Sequence, residues 1–204
     1  MLMPKPDAKT IANRPAIVER LQQIVPKGVF GDNVITDVAG LRAYECDGLS
    51  AYRQLPLVVV LPETTSQISQ ILEYCNQTGV KVVARGAGTS LSGGALPLAD
   101  AVLLGLGKFN QILDIDYTNR AVVTQPGVTN LAISQAVADA NFYYAPDPSS
   151  QIVCSIGGNV AENSGGVHCL KYGLTTNNLL GLEMVLMNGD IVKLGGKHLG
   201  SDGY

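Results

Sequence analysis

The chain has 204 residues, 46% of them hydrophobic and 15% charged, a globular balance that excludes disorder for most of its length. Its 23 glycines exceed what helices and strands want and point to turns or ligand-facing loops. A net charge of −3, with Lys and Arg scattered rather than clustered, excludes a basic field for nucleic acid, and no apolar run approaches the length of a membrane span.

Met1 to Lys9 lacks the apolar core of a signal peptide, so the chain reads as cytoplasmic. The cysteines, Cys46, Cys75, Cys154 and Cys169, form no CxxC pair, and only His168 and His198 could help them hold a metal; reduced thiols and no zinc are expected. Asn13 can cap a helix with Pro15 in its first turn and Ile17, Val18, Leu21, Ile24 and Val25 on one face, which reads as a leading helix outside the main domain. Residues 27–53 show no strong period. A boundary near Arg53 divides an N-terminal helical or extended segment, 1–53, from a domain at 54–204.

Leu57 to Leu61 is a Val-rich run, as a strand buried on both faces should be, and Pro62 stops it. Thr64 and Gln67 offer a capping box, Ile68, Ile71, Leu72 and Cys75 repeat with helical spacing, and Gly79 closes the helix. Lys81 to Ala84 is the next strand; strand, helix, strand in this spacing predicts a βαβ unit with the two strands parallel. Ala101–Leu106, Ile112–Ile115 and Ala121–Thr124 are further strands, and a helix from Thr129 places Ile133, Ala136, Val137 and Ala140 on one face. Leu182–Met187 and Ile191–Leu194 flank Asn188-Gly189, the pair that suits a type I′ hairpin turn. The class is therefore α+β: a small parallel α/β subdomain, then a more antiparallel β subdomain, with a cleft expected between them.

Directly after the second strand comes Arg85-Gly86-Ala87-Gly88-Thr89-Ser90-Leu91-Ser92-Gly93-Gly94. Small residues let backbone approach a ligand, and consecutive amides in such a turn can form a concave anion site, for which phosphate is the natural tenant. A nicotinamide Rossmann loop is disfavoured because Leu91 sits where that fingerprint needs a small residue. A triphosphate P-loop is excluded because Gly94 and Ala95 replace its Lys and Ser/Thr. Alone, the run could also be an ordinary flexible turn, the lesser of the two readings.

It is followed by Asp147-Pro148-Ser149-Ser150 and by the small-residue segment Ser155-Ile156-Gly157-Gly158-Asn159-Val160-Ala161-Glu162-Asn163-Ser164-Gly165-Gly166, then His168-Cys169-Leu170-Lys171-Tyr172-Gly173. The strand and these motifs, in this order from about Leu55 to Tyr204, resemble the PCMH-type FAD-binding domain of the vanillyl-alcohol oxidase and p-cresol methylhydroxylase superfamily. Within it they are most similar to the branch of glycolate oxidase D subunits and D-lactate dehydrogenases.

The resemblance implies non-covalent FAD, since Thr89 stands where some members carry a flavin-tethering histidine. It implies that Arg85, Gly86, Ala87, Gly88, Thr89, Ser90 and Leu91 wrap the pyrophosphate, and that Asp147, Pro148, Ser149 and Ser150, with Gly157 and Gly158, lie along the flavin and ribityl chain. Glu162, Asn163, Ser164 and Gly165 continue that surface, and Ile191 meets the adenine end. Relatives of this kind continue into a segment that completes the FAD site and a substrate domain, so the chain is expected to be an N-terminal portion, incomplete at its C-terminus, without catalytic or metal residues of its own. The implied activity is oxidation of a small 2-hydroxy acid, glycolate to glyoxylate, with other glycolate oxidase subunits, including an iron–sulfur protein, as partners and peripheral attachment to the inner membrane through them. D-lactate or D-2-hydroxyglutarate dehydrogenase is the alternative, and a non-catalytic flavin-binding fragment the second. His168 and Cys169, though adjacent, are read as structural, Cys154 as a buried space-filler, and Tyr143 and Tyr144 as packing.

Overall fold

The computed structural model describes residues 3–29 and 31–197, so His198 and the chain end at Tyr204 lie outside the described residues. Two compact units are formed, the first running to Lys108 and including Val185–Ile191, the second comprising Phe109–Met184 with the described residues from Val192.

The first unit is built on a four-stranded sheet: β1 (Val34–Ile35), β2 (Val58–Val60), β3 (Lys81–Arg85) and β4 (Ala101–Gly105), in the order β1-β2-β4-β3. β2 and β3 are parallel as expected, but not neighbours, because β4 pairs in parallel with both, Val59 opposite Leu103 and Val83 opposite Leu103. Every residue of β2 and β4 is buried, which explains the continuous rather than alternating apolar runs of these central strands. The crossover helix α4 (Thr65–Thr78) starts at a complete capping box between Thr64 and Gln67 and ends at Gly79, whose φ of 70° only glycine adopts without strain. Ile71, Leu72 and Cys75 seat it on the core, and burial pushes the Cys75 thiol up to about 12, which leaves it inert.

The leading helix is α2 (Arg14–Ile24), and it is part of this core rather than outside it: Ile17, Leu21, Ile24 and Val25 pack with Val58, Val60, Ile71 and Val102. Each such side chain, fully buried, supplies about 1.5–3 kcal/mol. Arg14 fixes the helix further, its guanidinium donating to the carbonyls of Leu57 and Thr36 at 2.8 and 2.6 Å. Asn13 makes no side-chain cap, because it also terminates a short preceding helix, α1 (Ala8–Ala12). The stretch without a period contains β1 and α3 (Val38–Arg42), elements too short to show one.

In the second unit, β5 (Ile112–Asp116) and β6 (Ala121–Thr124) form an antiparallel pair. Helix α5 (Asn130–Val137) is capped by Thr129, which accepts from the Ala132 amide, and it buries Ile133 and Val137 while Ala136 and Ala140 face outward. Short helices α6 (Ile156–Glu162) and α7 (Cys169–Tyr172) follow, then the two-stranded pair β7 (Gly181–Val185) and β8 (Ile191–Gly195).

The loop joining β7 to β8 is not the expected two-residue type I′ turn. Asn188 lacks the positive φ that turn requires, while Gly189 has φ of 89°. Its amide reaches the Leu186 carbonyl, and Leu186 pairs with Asp190, so the loop is Met187-Asn188-Gly189 with glycine in the bulge position. Asn188 instead uses its side chain on Asp190, accepting from that amide at 3.1 Å. Within the first unit, Ser69 of α4 donates its hydroxyl to the Gly189 carbonyl at 2.5 Å.

Candidate functional site

In the first unit, β3 delivers the chain into the glycine-rich loop. Gly88 and Gly93 have φ of 72° and 78°, which folds the run into a tight turn. From Gly86 to Leu91, no main-chain N–H donates to a protein acceptor among the described residues; only beyond them do Ser92 and Leu96 donate, to Ser90 Oγ and the Gly93 carbonyl. A run of donors left free where a strand ends is the arrangement an anionic group satisfies. Leu91 points outward with 73% of its surface exposed.

The segment beneath this loop is one that sequence reading missed. Gly48 packs so closely that a Cβ there would lie 2.8 Å from the carbonyl oxygens of both Thr89 and Ser90. Asp47 beside it is buried; its Oδ1 accepts from the Leu49 amide, while Oδ2 has no protein partner. The only sequence signal was an acidic, glycine-containing stretch without a period. The Arg85 side chain turns back under the loop to the carbonyls of Cys46 (2.7 Å) and Ala95 (3.4 Å).

In the second unit, the other motifs converge on one another. Asn130, fully buried in the first turn of α5, receives the turn that holds Asp147 to Ser150: its amide donates to the Cys154 carbonyl at 3.1 Å and its Nδ2 to the Pro146 carbonyl at 3.0 Å. Ser155 caps α6 and bridges to Thr129. The Gly157 amide is already given to the Pro126 carbonyl at 2.8 Å, and the Gly158 amide faces Ser155 Oγ at 3.4 Å. What these glycines offer is therefore the missing side chain rather than a free donor: a Cβ on Gly157 would lie 2.6 Å from Pro126 Cβ.

Asn163 ends α6 in the left-handed conformation and spends its side-chain oxygen on the Thr176 amide and hydroxyl, while the Ser164 carbonyl accepts from Thr175. Glu162 is left exposed, and Gly165 is packed against Cys169 and Leu174. Ile191, in the hairpin, is 47% exposed.

His168 and Cys169 serve different neighbours. The Cys169 sulfur accepts from the Gly166 amide at 3.0 Å, and His168 Nδ1 meets Asp147 Oδ2 at 2.6 Å. Gly166 lies against the Asp147 main chain, so the 147–150 turn and the 162–168 turn are clasped into one surface. Cys154 is buried as a space-filler. Tyr143 departs from the expected packing role: it is exposed, meets Tyr172 edge-on with centroids 6.1 Å apart, and donates its hydroxyl to that of Tyr172 at 2.8 Å.

Burial pushes the Asp147 carboxyl up, but the bonds to His168 more than offset this and hold it below its ordinary value. A carboxyl lowered on folding contributes stability above its unfolded value, and that contribution disappears as pH falls through the folded one. The clasp should thus loosen in acid. Thermal melts of wild type and D147N from pH 6 down to pH 3 should converge toward the acid end; a constant gap between the two curves would contradict the assignment.

Comparison with known proteins adds family context. The family described as "FAD binding domain" matches residues 56–195. The chain is 55% identical over 192 residues to "Glycolate oxidase subunit GlcD" of Escherichia coli (strain K12), covering 94% of this chain and 38% of that protein. It is 34% identical to "D-lactate dehydrogenase" of Anaerostipes hadrus, covering 89% of this chain and 37% of that one. Crystalline p-cresol methylhydroxylase with substrate bound superimposes with a TM-score of 0.78 at 21% identity, covering 100% of this chain and 41% of its own, a likeness of fold. The chain thus spans well under half the length of the curated relatives it matches.

Proposed function

The chain belongs to the FAD-binding domain family, and from that premise we propose that it is the FAD-holding portion of a flavoprotein that oxidises a small 2-hydroxy acid, with glycolate the first candidate. The observation that carries this reading is the run of unpartnered amides from Gly86 to Leu91, which fits a diphosphate without a basic cluster. In this assignment Arg85 to Leu91 hold the pyrophosphate, and Asp147 to Ser150 with Gly157 and Gly158 form the surface toward the flavin and ribityl chain. Glu162 to Gly165 extend that surface, and Ile191 serves the adenine end. The free amides of the loop bind and orient, the residues clasped by His168 hold their surface in shape, and no residue of the chain is assigned a proton transfer. FAD, when bound, supplies the hydride acceptor for the alcohol carbon.

The domain that does this starts near Arg53, with 1–53 as its N-terminal support. The name of the glycolate oxidase relative implies further subunits, and an iron–sulfur protein among them is the proposed electron acceptor. No helix among the described residues is long and apolar enough to cross a membrane; a cytoplasmic position, attached to the inner membrane only through partner subunits, is proposed with it. D-lactate as substrate remains the second reading, favoured by the relative of that name.

Purified protein should carry a flavin absorption band, and acid precipitation should release all of it as FAD into the supernatant, because Thr89 offers no nitrogen to tether the ring. Colourless protein that takes up no added FAD would defeat the proposal. Yellow colour staying with the pellet would defeat its non-covalent part.

A further inference from the structure

We propose that the Arg85 side chain is the counter-charge of the dinucleotide's diphosphate, an electrostatic role beyond the backbone contact of the loop it opens. The inference rests on the FAD reading above and concerns how that site obtains its positive charge.

The glycine-rich run contains no other basic residue. Arg85 is half-buried, and its Nη1 donates to main-chain carbonyls, those of Cys46 and Ala95 and, at the limit of range, Tyr44 at 3.5 Å. The guanidinium carbon stands 5.6 Å from the centroid of the Tyr44 ring, within reach of a cation–π contact. Carbonyl dipoles and a ring face fix the group without cancelling its charge. Of the acidic residues nearby, Glu45 pairs with Arg53 at 3.0 Å, while Asp47, buried next in the chain after Cys46, accepts from the Leu49 amide through Oδ1 and makes no ion pair with Arg85 among the described residues.

The position of the charge is given by Gly88. A side chain there would project into Nη2, Cζ and Nε of Arg85, so the guanidinium fills the space beside Gly88, within the turn whose amides are free. Donors and a fixed cation then act on one anion from adjacent positions, where partial desolvation makes the charge worth more than in water. The arrangement selects for a phosphate-bearing cofactor over its dephosphorylated form.

The test titrates FAD, and separately riboflavin, which has no phosphate, into wild-type chain, R85K and R85M at low and high salt, with thermal melts of each apo protein. The expected result is that R85M weakens FAD about 10–100-fold and flattens its salt dependence, that R85K recovers most of the affinity, and that riboflavin affinity is the same in all three. Wild type alone already bears on the idea, since FAD binding that is insensitive to salt would overturn it whether or not R85M folds. R85M binding FAD as wild type does would also overturn it, as would R85K and R85M losing FAD and riboflavin in parallel, the mark of a mere brace. Wild type that binds no flavin of either kind would remove the underlying FAD assignment, and the inference with it.

Discussion

Gly88→Val is expected to weaken FAD binding by about a hundredfold, on the order of the ~3 kcal/mol that two charge-assisted amide contacts supply, while the apo protein melts close to wild type. Gly88 holds φ of 72°, a region closed to a β-branched residue without strain, and the new side chain would run into the pinned guanidinium of Arg85. Relief requires the turn to open, which scatters the free amides proposed to hold the anion. The apo cost is small because the Gly86–Leu91 amides make no protein hydrogen bonds to lose, and the unit's core of α2, α4 and the central strands lies elsewhere. Titration of apo protein with FAD, beside a thermal melt, separates the two effects. Equal affinity in wild type and variant would remove the loop from the site, whereas a large fall in melting temperature would make the loop part of the fold's support.

How much could be read in advance varies with the distance over which each signal acts. Helix α4 was legible to the residue because its capping box, apolar spacing and terminal glycine all lie within one short window. The buried strands were legible because burial on both faces writes an unbroken apolar run. The insertion of β4 between β2 and β3 was not, since strand order depends on contacts far apart in sequence that no local pattern encodes. The same holds at the site. A glycine-rich loop announces itself, but that Gly48 lies under Thr89 and Ser90, or that Asn130 secures the 146–154 turn, follows only from tertiary packing. The Asn188-Gly189 pair was misjudged for a related reason: the pair is compatible with more than one loop length, and the docking of Gly189 on Ser69 belongs to the outcome actually adopted. At Gly157 the physical meaning of the glycine differs from a ligand-facing amide, because the amide is spent on the Pro126 carbonyl and the absent side chain makes room for the Pro126 ring.

The 204-residue chain by itself is expected to show no turnover of glycolate or D-lactate with an artificial electron acceptor, even with FAD in excess. Oxidation of a 2-hydroxy acid needs a cation or donor set for the substrate carboxylate, an acceptor for the hydroxyl proton, and a C–H bond aimed at the flavin. Among the described residues, three candidate groups are committed to other tasks. Arg85 is fixed on main-chain carbonyls beneath the glycine-rich loop, His168 is held by Asp147, and Lys197 is taken by Asp114 and Asp116 at 2.6 and 3.3 Å. The relative named as a glycolate oxidase subunit is a chain of which this one covers 38%, so the substrate groups are proposed to lie in the portion it does not span. The β7–β8 pair, two strands with largely exposed faces, is also a poor wall for a closed site. Without such walls the substrate is not oriented, and orientation alone can account for about 7–11 kcal/mol of a barrier. Anaerobic addition of glycolate while following the flavin band decides the matter. A band that persists as it does with free FAD is the expected outcome, whereas bleaching well above that background would place the proton acceptor and carboxylate anchor within these 204 residues and overturn the proposed division of labour.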